Sequence, residues 1–313
     1  MRRWLLAIGT ALALPVAAGA QRAVTVRADN DAFNFWQQPW ERPDEEYTSG
    51  VRLTLDWAGD AAWARWLGRA RCADGTRGCA SHDYALGQDI YTAPRTHNNP
   101  IALPNGRPDA GVLWLAGASR VAREAQLTEV GWRVGVTGDL SLAKPMQRFF
   151  HSLGPEFNRP ITWGKTLPTE PAFELRWDES RLLAAAPFAL TPHAGVSAGT
   201  LLTEIRAGLG LRAGAGLSHP WLGAPRRRGV SYELTGDLTA RGVLRNETLS
   251  GTAFRDSPRV PLRAYVTEIQ GGVRVRVAAL EAAFVAHNTG AEYRSRSTSH
   301  SWSTLELRWY PAP

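Results

Sequence analysis

An alternation of apolar and charged residues with a period of two runs through most of the chain. It is clearest in Val51–Trp57, Phe173–Trp177, Val273–Val277 and Leu305–Trp309, where apolar residues alternate with mostly charged ones. Successive side chains of a β-strand point to opposite faces of the sheet. Each segment therefore predicts a strand with one apolar face and one wet face.

Two architectures fit such strands. In a soluble β-sandwich the charged face meets solvent, whereas in a membrane barrel it lines the lumen and the apolar face meets lipid. The alternating segments number about a dozen and continue to the end of the chain, as in a sheet that closes without a free edge. The final strand, Trp302–Tyr310, ends in aromatic residues. The 13 Trp suit the aromatic girdles of an outer-membrane barrel, although they suit a soluble core equally well.

The N-terminus has the pattern of a secretory signal. Arg2 and Arg3 precede the apolar stretch Leu5–Val16, and Ala18–Ala20 resembles a cleavage site. The stretch is too short to span a bilayer as a helix, and no later apolar run is long enough. Because lipid admits only helices and closed barrels, we predict a signal peptide at 1–20 and a single domain at 21–313. The predicted fold is all-β, a transmembrane up-and-down antiparallel β-barrel of about 12 strands in the bacterial outer membrane.

Cys72 and Cys79 are the only cysteines of the chain. Two thiols alone do not complete a metal site, and redox pairs usually have closer spacing. In the oxidising environment of the periplasm or cell surface, we expect a small loop disulfide.

Chain order brings distant polar segments to one end of such a barrel. The first strand ends, the second begins and the third ends at the outer rim. His151 lies in the longest outer loop, about residues 139–171, within the helix-compatible stretch Lys144–Leu153. We therefore expect the following to meet at one mouth of the barrel: Asn30 and Asp31, Tyr47–Gly50, Gln88–Thr92 and His151.

The period of two separates the first two of these residues. If Val24 and Val26 face lipid, Asn30 faces outward and Asp31 inward. A bulge or twist at the rim is then needed before both can bind one ion.

Five segments, in this order, resemble the outer-membrane lipid A 3-O-deacylases. The match extends over about residues 24–178, and the rest of the chain matches as barrel-like alternation. One segment departs from the family, whose Gly-Trp-x-x-Gln pattern is replaced by Thr162–Thr166. The segments are Arg27–Phe33 with Glu45–Thr54, Gly87–Thr92, Arg107–Gly111, Gln147–Leu153, and Trp163 with Glu170-Pro171.

The resemblance implies a twelve-stranded barrel with its site at the outer rim. It also implies calcium-dependent, phospholipase-A2-like removal of an ester-linked acyl chain from lipid A. Glu156 lies one residue from the family's spacing, and Arg95 and Arg107 are candidates for contacting a lipid phosphate. The implied catalytic residues are His151, Thr48 and Asn30, and the implied Ca²⁺ ligands are Asp31, Asn30 and Glu156.

The chemistry of these residue types is consistent with those roles. Ester hydrolysis needs a base that activates water, and imidazole titrates near neutral pH, so His151 is the natural candidate. A hard cation prefers carboxylate and amide oxygens, which Asp31 and Asn30 offer. Thr48 could orient the water or donate to the developing oxyanion.

Two other functions are alternatives for this chain. A catalytically silent barrel, acting as a pore or structural protein, would share the fold, because fold does not fix function. A Ser-His phospholipase is disfavoured because no serine lies in a nucleophile motif on an outward strand. The expected partner is lipid A or lipopolysaccharide of the outer leaflet, bound by a monomer, and no nucleic-acid motif is present.

Overall fold

The computed structural model describes residues 21–34, 46–67, 80–95, 102–123, 125–152, 162–183, 188–215, 221 and 229–311. The predicted signal peptide at 1–20, the predicted disulfide of Cys72 and Cys79, and Glu156 lie outside these residues.

Twelve antiparallel strands form one closed sheet. Each strand pairs with its neighbours in sequence, and the last pairs with the first through a register that includes Val24 with Trp309. The prediction of an up-and-down barrel is confirmed. The strands are β1 Gln21–Asn30, β2 Glu46–Ala58, β3 Ala80–Thr92, β4 Ala110–Ala122, β5 Gln126–Thr137, β6 Pro171–Arg181, β7 Phe188–Gly199, β8 Leu202–Ala215, β9 Val230–Asn246, β10 Tyr265–Val277, β11 Leu280–Thr289 and β12 His300–Trp309.

The helical content is small. The predicted helix of the longest outer loop is confirmed as α1, Ala143–His151, and a single turn, α2, covers Glu247–Ser250. Short 3-10 turns lie at Asp31–Phe33, Ala62–Ala64 and Gly138–Ser141. Among the described residues, no helix has the length and apolar character needed to cross a bilayer.

The apolar phase of the strands faces outward. Leu86 is 51% exposed whereas the preceding Ala85 is 6% exposed, and Leu305 and Leu307 of β12 are exposed beside the buried Thr304. A charge on this face would cost about 2–4 kcal/mol at the bilayer centre, which explains why the charged phase turns inward. We call the apolar face the outer wall.

The inward charges pair with one another between strands that are adjacent or separated by one strand. Arg206 contacts Asp178 at 2.5 Å and Glu204 at 3.2 Å, and Glu204 also binds Arg241 at 2.7 Å. Arg120 pairs with both Asp83 and Glu129. Buried charges need such partners because an unpaired charge in a low-dielectric interior is costly. Ion pairs therefore line the lumen side of these strands.

One end of the barrel carries the ends of the odd-numbered strands, and we call it the loop rim. A buried cluster around Glu46 crosses its mouth. The Glu46 carboxylate accepts hydrogen bonds from Arg107 at 3.2 Å, Arg296 at 2.7 Å and Tyr293 at 2.6 Å. Arg107 also donates to Thr248 at 2.7 Å. The cluster therefore joins residues from four places around the rim.

Candidate active site on the outer wall

The chain leaves β1 through a turn that lies on the outer wall. Asn30 pairs with Ser303 of β12, and its Oδ1 accepts from the Ala32 amide at 2.7 Å. Asn34 then donates to the Ser301 carbonyl at 2.8 Å, and its Oδ1 accepts from the Ser303 hydroxyl at 2.8 Å. Ser301 and Ser303 have the outward phase of Leu305. The turn at residues 31–34, which we call the rim turn, is thus fastened to the outside of β12.

Asp31 opens the rim turn and is 3% exposed. The strand ends at Asn30, so strict alternation does not continue to Asp31. If Asn30 and Asp31 are to bind one ion, the sequence pattern requires a bulge or twist between them. The change from strand to 3-10 turn is that break in the alternation.

Thr48 lies in a bulge. The pairing of β2 with β3 shifts between Tyr47 and Ser49, which makes Thr48 the extra residue. Its Oγ1 lies 2.5 Å from that of Thr92, whose phase in β3 is the outward phase of Leu86. Asn30 pairs with Ser49 across β1 and β2. Asn30 and Thr48 are therefore neighbours at one level of the loop rim.

Tyr47 shows the other side of the same bulge. Its hydroxyl donates to Asp29 at 2.8 Å and lies 3.3 Å from Asp89. Trp114 donates to Asp89 at 2.8 Å, and Thr304 donates to Asp29 at 2.6 Å. These residues have the inward phase. The bulge therefore sends Tyr47 to a lumen network and Thr48 to the outer wall.

Helix α1 packs on the outer wall. A Cβ placed on Gly111 of β4 would collide with Ala143 and Ser141, so the glycine allows this close approach. The Gln88 side chain of β3 donates to the Ser141 carbonyl at 2.5 Å. Both Gly111 and Gln88 have the outward phase of their strands. The helix therefore lies outside the barrel and not over its mouth.

His151 lies on the wall-facing side of α1. Ala143 and Gln147 are the buried residues of the helix, and His151 follows Gln147 by four positions. Residues four apart share one helix face. Trp163 donates to Gln147 at 2.5 Å, which ties the helix to the returning part of its loop.

The path of this loop leads across the wall from β5 to β3. The Gly138–Ser141 turn contacts β4 and β5, and α1 contacts β3 and β4. His151 is the last residue of α1. We call the outer face of β1–β3 between the rim turn and α1 the wall groove.

Arg107 does not have the predicted role. Its side chain is fully buried, it pairs with Glu46, and its guanidinium lies 4.4 Å from the centre of the Tyr91 ring. The prediction that it contacts a lipid phosphate is therefore wrong, because its charge is committed to the cluster at the mouth. Sequence reasoning had no means of locating its carboxylate partner.

Arg95 is tied to a second buried carboxylate. It binds Asp109 at 3.1 Å and donates to the Thr162 carbonyl at 3.0 Å. Asp109 is 0% exposed and accepts from the amides of Ala93 and Gly164. This carboxylate connects the β3–β4 loop with the loop that carries α1.

Asp109, Gln88 and Gln147 hold the loop segments around the proposed site. Sequence reasoning placed Gln88 at this rim and assigned no role to Asp109 or Gln147. Each belongs to a segment that carried the family resemblance, which was the available signal.

The donors near the rim turn suit a hard cation. Asp31 supplies a carboxylate, and Asn30 supplies amide and backbone oxygens. Within the described residues, no group of three or more His, Cys, Asp or Glu could by itself hold a metal ion. Glu156 lies outside these residues, so the ligand set remains a prediction.

A closed barrel with an apolar outer wall and an ion-paired lumen defines an integral membrane protein of the outer-membrane class. The model of the family described as outer membrane protein LpxR matches residues 5–310, and the chain belongs to this family. The family resemblance, the fold and the outer-membrane location predicted from the sequence are confirmed. Membership of this family supports an outer-membrane lipid A deacylase.

Solved structures resemble the chain in fold. LpxR from Salmonella typhimurium is 16% identical, with a TM-score of 0.73, covering 92% of this chain and 100% of that chain. The β domain of the Bordetella autotransporter BrkA is 10% identical, with a TM-score of 0.49, covering 93% of this chain and 99% of that one. The comparison with curated proteins gives no match.

Proposed function

We propose that this protein removes the acyl chain ester-linked at the 3-O position of lipid A by direct hydrolysis. The observation that carries the proposal is the wall groove. Asn30 and Thr48 are neighbours on the outer wall at the loop rim, and α1 crosses the same wall with His151 at its end. An ester in the outer leaflet lies beside this wall and not inside the lumen.

In the proposed step His151 is the general base. Its imidazole takes a proton from a water molecule as the water oxygen attacks the ester carbonyl carbon. The tetrahedral intermediate collapses by breaking the bond to the 3-oxygen of the sugar. That oxygen takes the proton from His151, which leaves a free fatty acid, a 3-hydroxyl group and neutral imidazole.

Asn30 and Thr48 assist at the carbonyl and the water. The Asn30 amide donates to the oxygen that becomes negative, and the Thr48 hydroxyl orients the water or donates to the same oxygen. The Asn30 Oδ1 is held by the Ala32 amide, so the NH₂ group of the same side chain has a fixed direction. This arrangement orients the donor before the reaction.

Ca²⁺ would be held by Asp31 and Asn30, with Glu156 as a further ligand. When bound, it supplies positive charge that stabilises the oxyanion. Asp31 is buried at the start of the rim turn and directly follows Asn30 in the chain.

The test is mass spectrometry of lipid A from cells that express the chain. The wild type should remove one ester-linked acyl mass, and His151→Ala should not. His82→Gln is the matched control because His82 lies at the opposite end of the barrel, where it contacts the Gly59 carbonyl. Unchanged lipid A with the wild type, folded in the membrane with calcium present, would sink the proposal. Equal deacylation by His151→Ala would remove the base assignment.

The main alternative is a silent barrel. An open pore is disfavoured by the Glu46 cluster, which joins residues from four places around the loop rim. Purified protein in a planar bilayer should show no steady conductance. Stable open channels together with unchanged lipid A would favour the pore.

A further inference from the structure

The face of α1 that turns away from the wall is apolar and exposed. Met146 is 37% and Phe149 is 56% exposed, and Leu140 and Leu142, just before the helix, are 62% and 53% exposed. Phe149 also packs against Phe150, with ring centres 5.8 Å apart. In water, such a set of side chains on one short helix would be unfavourable.

This apolar face continues the lipid-facing surface of the barrel. The helix begins over Gly111 of β4 and contacts β3. On these same strands Leu115 is 45% and Leu86 is 51% exposed on the outer wall. Leu86, Leu115 and Phe149 therefore all expose apolar side chains on the outer side of the barrel.

The flank of the helix fits the headgroup layer. Lys144 and Arg148 are four residues apart and share one face, and Arg148 is exposed. An interfacial helix combines an apolar face in the acyl region with basic residues directed at anionic headgroups.

The start of the helix is strained. Leu142 has φ 57° and ψ 15°, in the left-handed region that non-glycine residues rarely adopt, and no side chain caps the helix there. The Leu142 side chain is nevertheless exposed, as is that of Leu140.

We propose that α1 is an interfacial helix whose outer face, formed by Leu140, Leu142, Met146 and Phe149, is embedded in the acyl chains of the outer leaflet. The bilayer then holds the opposite face of the helix, which carries Gln147 and His151, against the wall groove. This second consequence rests on the proposed function, whereas the embedding itself does not.

Spin labels test the embedding without any use of activity. Phe149→Cys, Arg148→Cys and Leu115→Cys would each be made in a Cys72→Ser, Cys79→Ser background and placed in phosphatidylcholine vesicles. Leu115 is the reference for a lipid-facing wall position. The label at 149 should collide more often with oxygen than with a water-soluble nickel complex, as at 115, and the label at 148 should show the reverse. Nickel access at 149 equal to that at 148 would overturn the proposal.

A double variant tests the consequence for the site. Met146→Ser with Phe149→Ser should slow acyl release from lipid A in vesicles about tenfold, a loss of about 1.4 kcal/mol of stabilisation. Release from lipid A dispersed in detergent should change much less. An equal loss in both media would mean that these side chains act within the site and not through the bilayer. The spin-label result needs no hydrolysis. It therefore distinguishes a catalytically silent barrel whose helix is embedded from a protein whose helix is not embedded.

Discussion

At the loop rim, adjacent residues of one short sequence have different roles on the two sides of the barrel wall. Gln88 and Asp89 are adjacent in β3, yet Gln88 donates to the loop of α1 on the outside and Asp89 accepts from Trp114 on the inside. The inner side chains pair with one another and form a rigid network. The outer ones hold loop segments that complete the wall groove. A polar motif at a strand end can therefore serve stability and a site at once.

The sharpest test of this division is the pair Tyr47 and Thr48. Thr48→Val keeps the shape of the side chain and removes the hydroxyl, so deacylation should fall about 10²–10³-fold, as when one oxyanion donor is lost. Tyr47→Phe removes hydrogen bonds to the lumen carboxylates and should instead lower stability by about 1.5–3 kcal/mol. Activity would be measured as the initial rate of acyl release. Stability would be measured as the unfolding midpoint, from the change of gel mobility on heating. The division fails if Tyr47→Phe loses more activity than Thr48→Val.

The position of α1 provides the next largest effect. Gly111→Ala inserts a methyl group where Ala143 and Ser141 already lie, so the helix must shift off the wall. We expect about a tenfold fall in rate, since small displacements of catalytic groups cost that or more. Gly236→Ala in β9 is the matched control, because the added methyl group would lie 4.0 Å from its nearest neighbour, the Gln270 carbonyl oxygen. Equal rates for both variants would show that α1 does not need this close approach.

A smaller effect is expected at the tie between Trp163 and Gln147. Trp163→Phe removes the indole N–H that donates to Gln147 while keeping an aromatic ring. One net hydrogen bond is worth about 1 kcal/mol, so the helix should loosen and the rate fall about fivefold. Trp63→Phe, at the opposite end of the barrel, serves as control. A variant that instead unfolds would show that the tie supports the loop as a whole.

The smallest expected effect concerns the pH dependence of stability. It arises at the loop rim, on the side of the barrel opposite the wall groove. Burial raises the pKa of Glu247 to about 7, with Glu170 adding to the rise and Arg245 opposing it. Since this pKa lies above that of an unfolded glutamate, the folded state loses stability as pH rises from about 4.5 to 7. Glu247→Gln should therefore raise the unfolding midpoint at pH 8 and change it little near pH 4. If the midpoints of the variant and the wild type differ equally at both pH values, ionisation of Glu247 is not the cause.

Much of the site was predictable from local sequence, and the reason is particular to its residues. Asn30, Asp31 and Thr48 lie where strands end or begin, so chain order alone brings them to one rim. The helix of His151 was predictable from its own stretch of sequence. Arg107 was misjudged because a basic residue in an outer loop has no local sign of a buried carboxylate such as Glu46, which is 61 positions away.

The alternation of the chain determined the strands and, once the sheet closes as a membrane barrel, which residues face lipid, because the period of two assigns every strand residue to one of two sides. It could not decide what happens where the period is broken. The bulge at Thr48, the rim turn on β12 and the passage of α1 over Gly111 depend on contacts between segments far apart in sequence. Those contacts placed the proposed site on the outer wall and not in the mouth of the barrel.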